Sequence, residues 1–136
     1  MPATTKAIRE ALAAQIAAGL GPGWQVSPYM LLSMSPPAVD MRPSGIEFHA
    51  AMRNGLAFVT LTVRVIVALN DPVGAQMLLD ELSAPDDPGG LKAVIESDLT
   101  LGAVVQDVTV VSAADYKWIN QEPPIIGVEF DVLVYP

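Results

Sequence analysis

The chain has 136 residues, 51% apolar and only 16% charged, with a net charge of −8 and no cysteine. That length supports one domain with a substantial core and is short for two. Without cysteine, disulfide stapling, thiolate catalysis and cysteine-ligated zinc are excluded, and no stretch offers the roughly 18 unbroken apolar residues of a membrane-spanning helix. The charge is unevenly spread. Residues 1–70 hold five basic side chains against three acidic ones, whereas residues 71–136 hold Lys92 and Lys117 against twelve acids. An acidic chain without a basic patch is poorly suited to gripping nucleic acid, because phosphate neutralisation supplies most of that affinity. Lys6, Arg9 and Glu10 stand where an export signal would need its apolar stretch, so none is expected.

In chain order, Thr4–Ala18 predicts an amphipathic helix, with Ile8, Leu12 and Ile16 spaced four apart. Gly19-Leu20-Gly21-Pro22-Gly23 ends it, since glycine suits a left-handed cap and proline cannot continue a helix. Trp24–Leu32 alternates as a strand does, and Pro28 places it at a sheet edge or before a bulge. A short extended piece, Ala38–Arg42, leads through Pro43-Ser44-Gly45 into a long antiparallel hairpin, Ile46–Leu69. Its turn is assigned to Asn54-Gly55, both of which accept the positive φ of a type I′ turn. The second arm, LAFVTLTVRVIVAL, is the element the fold is built around. Ala57, Val59, Leu61, Val63, Val65, Val67 and Leu69 line one face, while Thr60, Thr62 and Arg64 leave the middle of the other partly wet.

Asp71-Pro72 reads as a helix start, with aspartate capping free N–H groups and proline pre-set for the first turn. That helix runs to about Leu82, burying Ala75, Leu78, Leu79 and Leu82. The loop Asp86–Gly90 holds a second Asp-Pro start, followed by a helix with Leu91, Val94, Ile95 and Leu99 on its apolar face. Ala103–Val111 and Ile125–Tyr135 are the last strands, joined by a polar connection, Ser112–Pro124. The expected fold is therefore one α+β domain spanning 1–136. It is a mainly antiparallel sheet with a long hairpin, flanked by an N-terminal helix and two short central helices.

Little chemistry looks organised. His49 is the single histidine and has no cysteine, glutamate or second histidine at metal spacing, so a solvated strand histidine explains it. Asp86 and Asp87 lack the alternating oxygen ligands of a calcium loop and read as capping acids. Gly21–Gly23 and Gly89-Gly90 match no phosphate-loop pattern, and the serines have no nucleophile-elbow context. No enzyme activity, cofactor or metal is expected. Met30, Met34, Met41 and Met52 fill core by default, although Met30–Met41 spans a loop and offers an adaptable apolar contact surface. Trp24 and Trp118 read as core or edge anchors. The positions singled out for a partner interface are Met30, Met34, Met41, Arg42, Arg53, Asp86, Asp87 and Trp118.

Laid end to end, these elements resemble the tail-terminator proteins of long-tailed double-stranded DNA bacteriophages. The stretches that carry the likeness are Phe58–Asp71 (FVTLTVRVIVALND), Gln76–Leu82 (QMLLDEL) and above all Gly90–Val105 (GLKAVIESDLTLGAVV). In that family a helix like Leu91–Ser97 is followed by an Asp-x-Thr-Leu-Gly turn into the next strand; here the turn is Asp98-Leu99-Thr100-Leu101-Gly102. The resemblance implies a virion subunit, assembled in the host cytoplasm, that forms a ring, usually a hexamer, on the last disc of the tail tube. Such a ring stops polymerisation of the tube protein, presents a docking surface to the head–tail connector proteins and lets DNA pass without specific binding. With that reading goes the expectation that the acidic second half lines the channel. The alternatives are another connector of the same neck region, and a non-viral cytosolic module that binds a partner through the methionine-rich stretch.

Overall fold

The computed structural model describes residues 4–30, 37–47, 58–68, 72–84, 90–119 and 125–135; at 44, 46, 47, 58, 72 and 115–119 only the backbone is described. Within them lie α1 (Thr5–Leu20), β1 (Gln25–Val26), β2 (Ala38–Glu47), β3 (Phe58–Ala68), α2 (Pro72–Ser83), α3 (Leu91–Glu96), β4 (Asp107–Ile119) and β5 (Ile125–Tyr135). The five strands form one sheet in the order β1-β2-β3-β5-β4. Every pairing is antiparallel except β1 with β2, which is parallel. The fold is thus the α+β domain expected, with a mixed sheet.

β3 is the central strand. Its alternation sends Val59, Leu61, Val63, Val65 and Val67 into the core. The register brings Val39 and Met41 of β2 and Val128, Phe130, Val132 and Val134 of β5 alongside them on the same face. The helices close that face: Ile8, Leu12 and Ile16 of α1, Ala75, Leu79 and Leu82 of α2, and Leu91 and Ile95 of α3 join one cluster. Burying an aliphatic side chain of this size contributes about 1.5–3 kcal/mol, so this face supplies most of the driving force for folding.

α1 begins where Thr4 Oγ1 accepts the Ala7 N–H at 3.1 Å, a normal N-cap. It ends at Gly21, whose φ of 93° only glycine adopts freely and whose N–H donates to the Ala17 carbonyl. Gly19 has a different role from the stop signal predicted for it. It lies inside the helix, and a Cβ there would meet the Val94 methyls at 2.3 and 2.9 Å, so its lack of a side chain lets α1 lie against α3.

Four expectations are corrected. The strand predicted over Trp24–Leu32 lies at the sheet edge as expected, but among its described residues, 24–30, only Gln25–Val26 is strand. Pro43-Ser44-Gly45 does not separate two pieces: β2 runs through it with a bulge between Pro43 and Gly45. The predicted strand Ala103–Val111 starts later and continues through most of the supposed polar connection, since β4 spans Asp107–Ile119 with bulges between Val110 and Ser112 and between Ala114 and Lys117. Leu99 is 49% exposed, and Leu101 is buried in its place. The observed register also pairs Glu47 with Phe58. An uninterrupted ladder closing on a two-residue Asn54-Gly55 turn would pair Glu47 with Thr62. Residues 54 and 55 themselves lie outside the described residues, as does His49.

Candidate functional site

The face of the sheet turned away from the helices carries two polar rows, built by register alone. Asp40, Arg64 and Glu129 stand side by side on β2, β3 and β5, and one step along Arg42, Thr62, Asp131 and Ser112 cross four strands. Asp40 is 1% exposed and holds Arg64 through two bonds, Nε to Oδ1 at 3.0 Å and Nη2 to Oδ2 at 2.7 Å. The fork geometry suits guanidinium and carboxylate, and the charge-assisted pair is stronger than neutral bonds. The hydrogen bond to Asp40 is the main reason the Arg64 pKa rises; burial works against it, and the charges of Asp40 and Glu129 add to it. Thr62 Oγ1 and Ser112 Oγ donate to the two oxygens of Asp131 at 3.4 and 3.3 Å. Above the first row lies a recess of about 40 Å³ lined by Met30, Asp40, Met41, Arg42, Thr62, Arg64 and Glu129. That suits a water molecule or two and no organic substrate. The rows hold strand register.

The second feature lies along the outer edge of β4. A groove of about 350 Å³ is lined by Ser83, Lys92, Val110, Val111, Ser112, Ala113 and Phe130. The bulge at Val111 turns that side chain outward, leaving it 62% exposed beside the groove. The Val110 N–H donates to Glu96 Oε2 at 2.9 Å, and the Val108 N–H to Asp107 Oδ1 at 3.0 Å. Carboxylates therefore occupy two edge donors that an added strand would need. Glu96 also accepts from Lys92 Nζ at 2.5–2.7 Å. Burial alone would push the Glu96 pKa up, but the hydrogen bonds from Lys92 and Val110 and the Lys92 charge outweigh it and hold the carboxyl below its ordinary range.

Between α3 and β4, Asp98 organises the turn. Its Oδ1 accepts from the Thr100 N–H at 3.0 Å and the Thr100 hydroxyl at 2.7 Å, and its Oδ2 accepts from the Gly102 N–H at 2.9 Å. These bonds lower the Asp98 pKa, the Thr100 hydroxyl first among them. They hold Leu101, Gly102 and Ala103 in left-handed conformation, with φ of 49°, 72° and 68°. The N–H groups of Val104 and Val105 then bond back to the Thr100 carbonyl. Gln15 of α1 ties this region down, its amide donating to the carbonyls of Val94, Ile95 and Asp98 at the end of α3.

Of the predicted interface positions, Met30 is 59% exposed and Arg42 is exposed, both beside the polar rows. Met41 is 1% exposed and belongs to the core, where the alternation of β2 turns it toward Val63. It is corrected from a contact residue to a packing one. Trp118 is placed by its backbone in β4 opposite Ile126. Met34, Arg53, Asp86 and Asp87 lie outside the described residues. Trp24 packs half-buried against the core, as an edge anchor should. Asp40, Arg64, Gln15 and Glu96 escaped notice as partners, because each pairing depends on tertiary register. The signal present for the first was the alternation Val39-Asp40-Met41-Arg42, which already marks a strand with one polar face. Among the described residues no group of three or more His, Asp or Glu could hold a metal, and no helix is long and apolar enough to cross a membrane.

No protein-family model and no curated protein matches the chain.

Proposed function

We propose that this chain is a tail-terminator subunit of a long-tailed bacteriophage, which closes into a ring on the end of the tail tube, stops its polymerisation and offers the head its docking surface. The observation that carries this reading is the Gly90–Val105 passage. The stretch that resembles the family at Asp98-Leu99-Thr100-Leu101-Gly102 is a single hydrogen-bonded turn that joins a short helix to a long strand. Around it stand an N-terminal helix, a long central strand, a helix opened by proline and a closing strand, in the order the resemblance implies. A head-to-tail contact repeated by a rotation that closes makes a ring. The ring caps a tube when one of its faces fits the tube and the other does not.

The test is negative-stain imaging of tails made by a phage carrying an amber mutation in this gene. Overlong tubes without heads are expected. Tails of normal length that fail to join heads would instead assign the chain to a connector of the neck.

A further inference from the structure

The sheet ends in two unlike edges, and each carries a feature that the other lacks. On the β1 side, Tyr29 and Met30 are 44% and 59% exposed, immediately after the edge strand. Tyr29 is held from above by the Arg9 guanidinium, 5.2 Å from the ring centre, and from below by a turn in which Ser27 Oγ accepts the Tyr29 N–H. The aromatic side chain is thus presented outward on a fixed support. On the β4 side lies the groove floored by Phe130 and flanked by Val111 and Lys92. Strand order puts these two features at opposite ends of the sheet.

We infer that the β4 groove of one subunit receives Tyr29 and Met30 of a second copy of the same chain, and that this contact is the one repeated around the ring. The inference rests on the ring reading and names the surfaces it uses. A head-to-tail contact needs two different patches on well-separated sides of one molecule, and a protrusion at one sheet edge with a groove at the other meets that need. Charge points the same way. The α2–α3–β4 side holds Asp80, Glu81, Glu96, Asp98, Asp107 and Asp115 against Lys92 and Lys117, whereas the α1–β1–β2 side balances Lys6, Arg9 and Arg42 against Glu10, Asp40 and Glu47. Two copies joined edge to edge therefore set an acidic side against a balanced one, whereas two β4 edges would meet with like charge and repel. Because carboxylates cap the Val108 and Val110 N–H groups, the neighbour is received by side chains in the groove and not by an added strand at those positions.

The absence of native cysteine makes the test direct. The full-length Tyr29→Cys and Val111→Cys variants are mixed under mild oxidation, and the double variant is oxidised alone; native mass spectrometry and sedimentation read the products. Expected are a mixed disulfide dimer from the two single variants, a ladder ending at a closed ring from the double variant, and little product from either single variant alone. Separately, Val111→Glu and Tyr29→Glu each reduce ring mass to monomer at protein concentrations at least tenfold above those at which the parent chain assembles, with unchanged far-ultraviolet circular dichroism. Rings that persist in both glutamate variants without the mixed disulfide would overturn the contact and leave the ring reading standing. A parent chain that stays monomeric even on purified tail tubes would overturn both. Efficient self-linking of Tyr29→Cys would show a two-fold contact and overturn the head-to-tail assignment.

Discussion

Asp40 is buried while the Arg64 side chain it grips keeps 30% of its surface, so the pair is locked on one side and watered on the other. Removing the acid takes away the forked hydrogen bonds and leaves the guanidinium with the charge of Glu129 beside it. Asp40→Ala is expected to cost about 2–4 kcal/mol, below the fully buried case because Arg64 keeps some solvent. A double variant, Asp40→Leu with Arg64→Met, should lie within about 1 kcal/mol of the parent, since well-packed apolar side chains replace such pairs at little loss. Urea unfolding midpoints measure both, and a neutral single variant would show that the pair carries no stability. Glu96 gives a pH-dependent counterpart. Its pKa is lowered on folding, so its contribution is present above the ordinary value of 4.5 and is lost as the pH falls through the folded value. Asp98 behaves with the same sign, below the ordinary 3.8. Glu96→Gln is expected to flatten part of the acid-side fall in melting temperature; a profile that superimposes on the parent would refute this role for Glu96.

Elements with unbroken periodicity were legible in the residues. β3 and β5 alternate without interruption, α1 and α2 keep a helical stripe, and the last strand has the bounds expected of it. β2 and β4 were legible only in part, as Ala38–Arg42 with the hairpin arm from Ile46 and as the end of Ala103–Val111, and the cause is common to both. Each contains a bulge, which inserts one residue and shifts the alternation to the other face, so Pro43-Ser44-Gly45 looked like a break and Ser112–Ile119 like a loop. β1 pairs in parallel with β2 across a connection whose outcome local pattern does not encode. Of the candidate site, the Asp98 turn was visible as a motif. The β4 groove was not, because it joins α2, α3 and two strands far apart in the chain. The packing of α1 on α3 is equally a product of tertiary structure, and it rests on Gly19. Gly19→Ala is expected to cost about 1–3 kcal/mol through overpacking against Val94, although alanine favours helix. Combining it with Val94→Ala should recover the difference, because the clashing methyls are gone. Thermal melts of the two single variants and the double variant measure the coupling, and strict additivity would mean that the helices do not meet there.

Taken whole, the molecule is strongly polarised along its sequence, with a net charge of −8 concentrated beyond residue 70. On the ring reading this has a consequence for the nucleic acid that must cross the channel. DNA binds proteins mainly through phosphate neutralisation, so an acidic wall resists adhesion and leaves transit free. Of the acids in that half, Asp107 is half-buried at the start of β4, and Asp86, Asp87 and Glu122 lie outside the described residues. The exposed Asp80 and Glu81 of α2 add to the same part of the molecule. Assembled rings should therefore fail to retain duplex DNA in a gel-shift assay even at about 0.05 M salt, where screening is weak and any basic surface would reveal itself. Replacing Asp80 and Glu81 with lysine reverses two charges per subunit. If these residues face the channel, the variant rings should hold DNA at low salt and release it as salt rises, and phage carrying them should eject their genomes more slowly. Tight retention by the parent ring would refute a repelling channel. Unchanged behaviour of the lysine variant would place α2 on the outside of the ring.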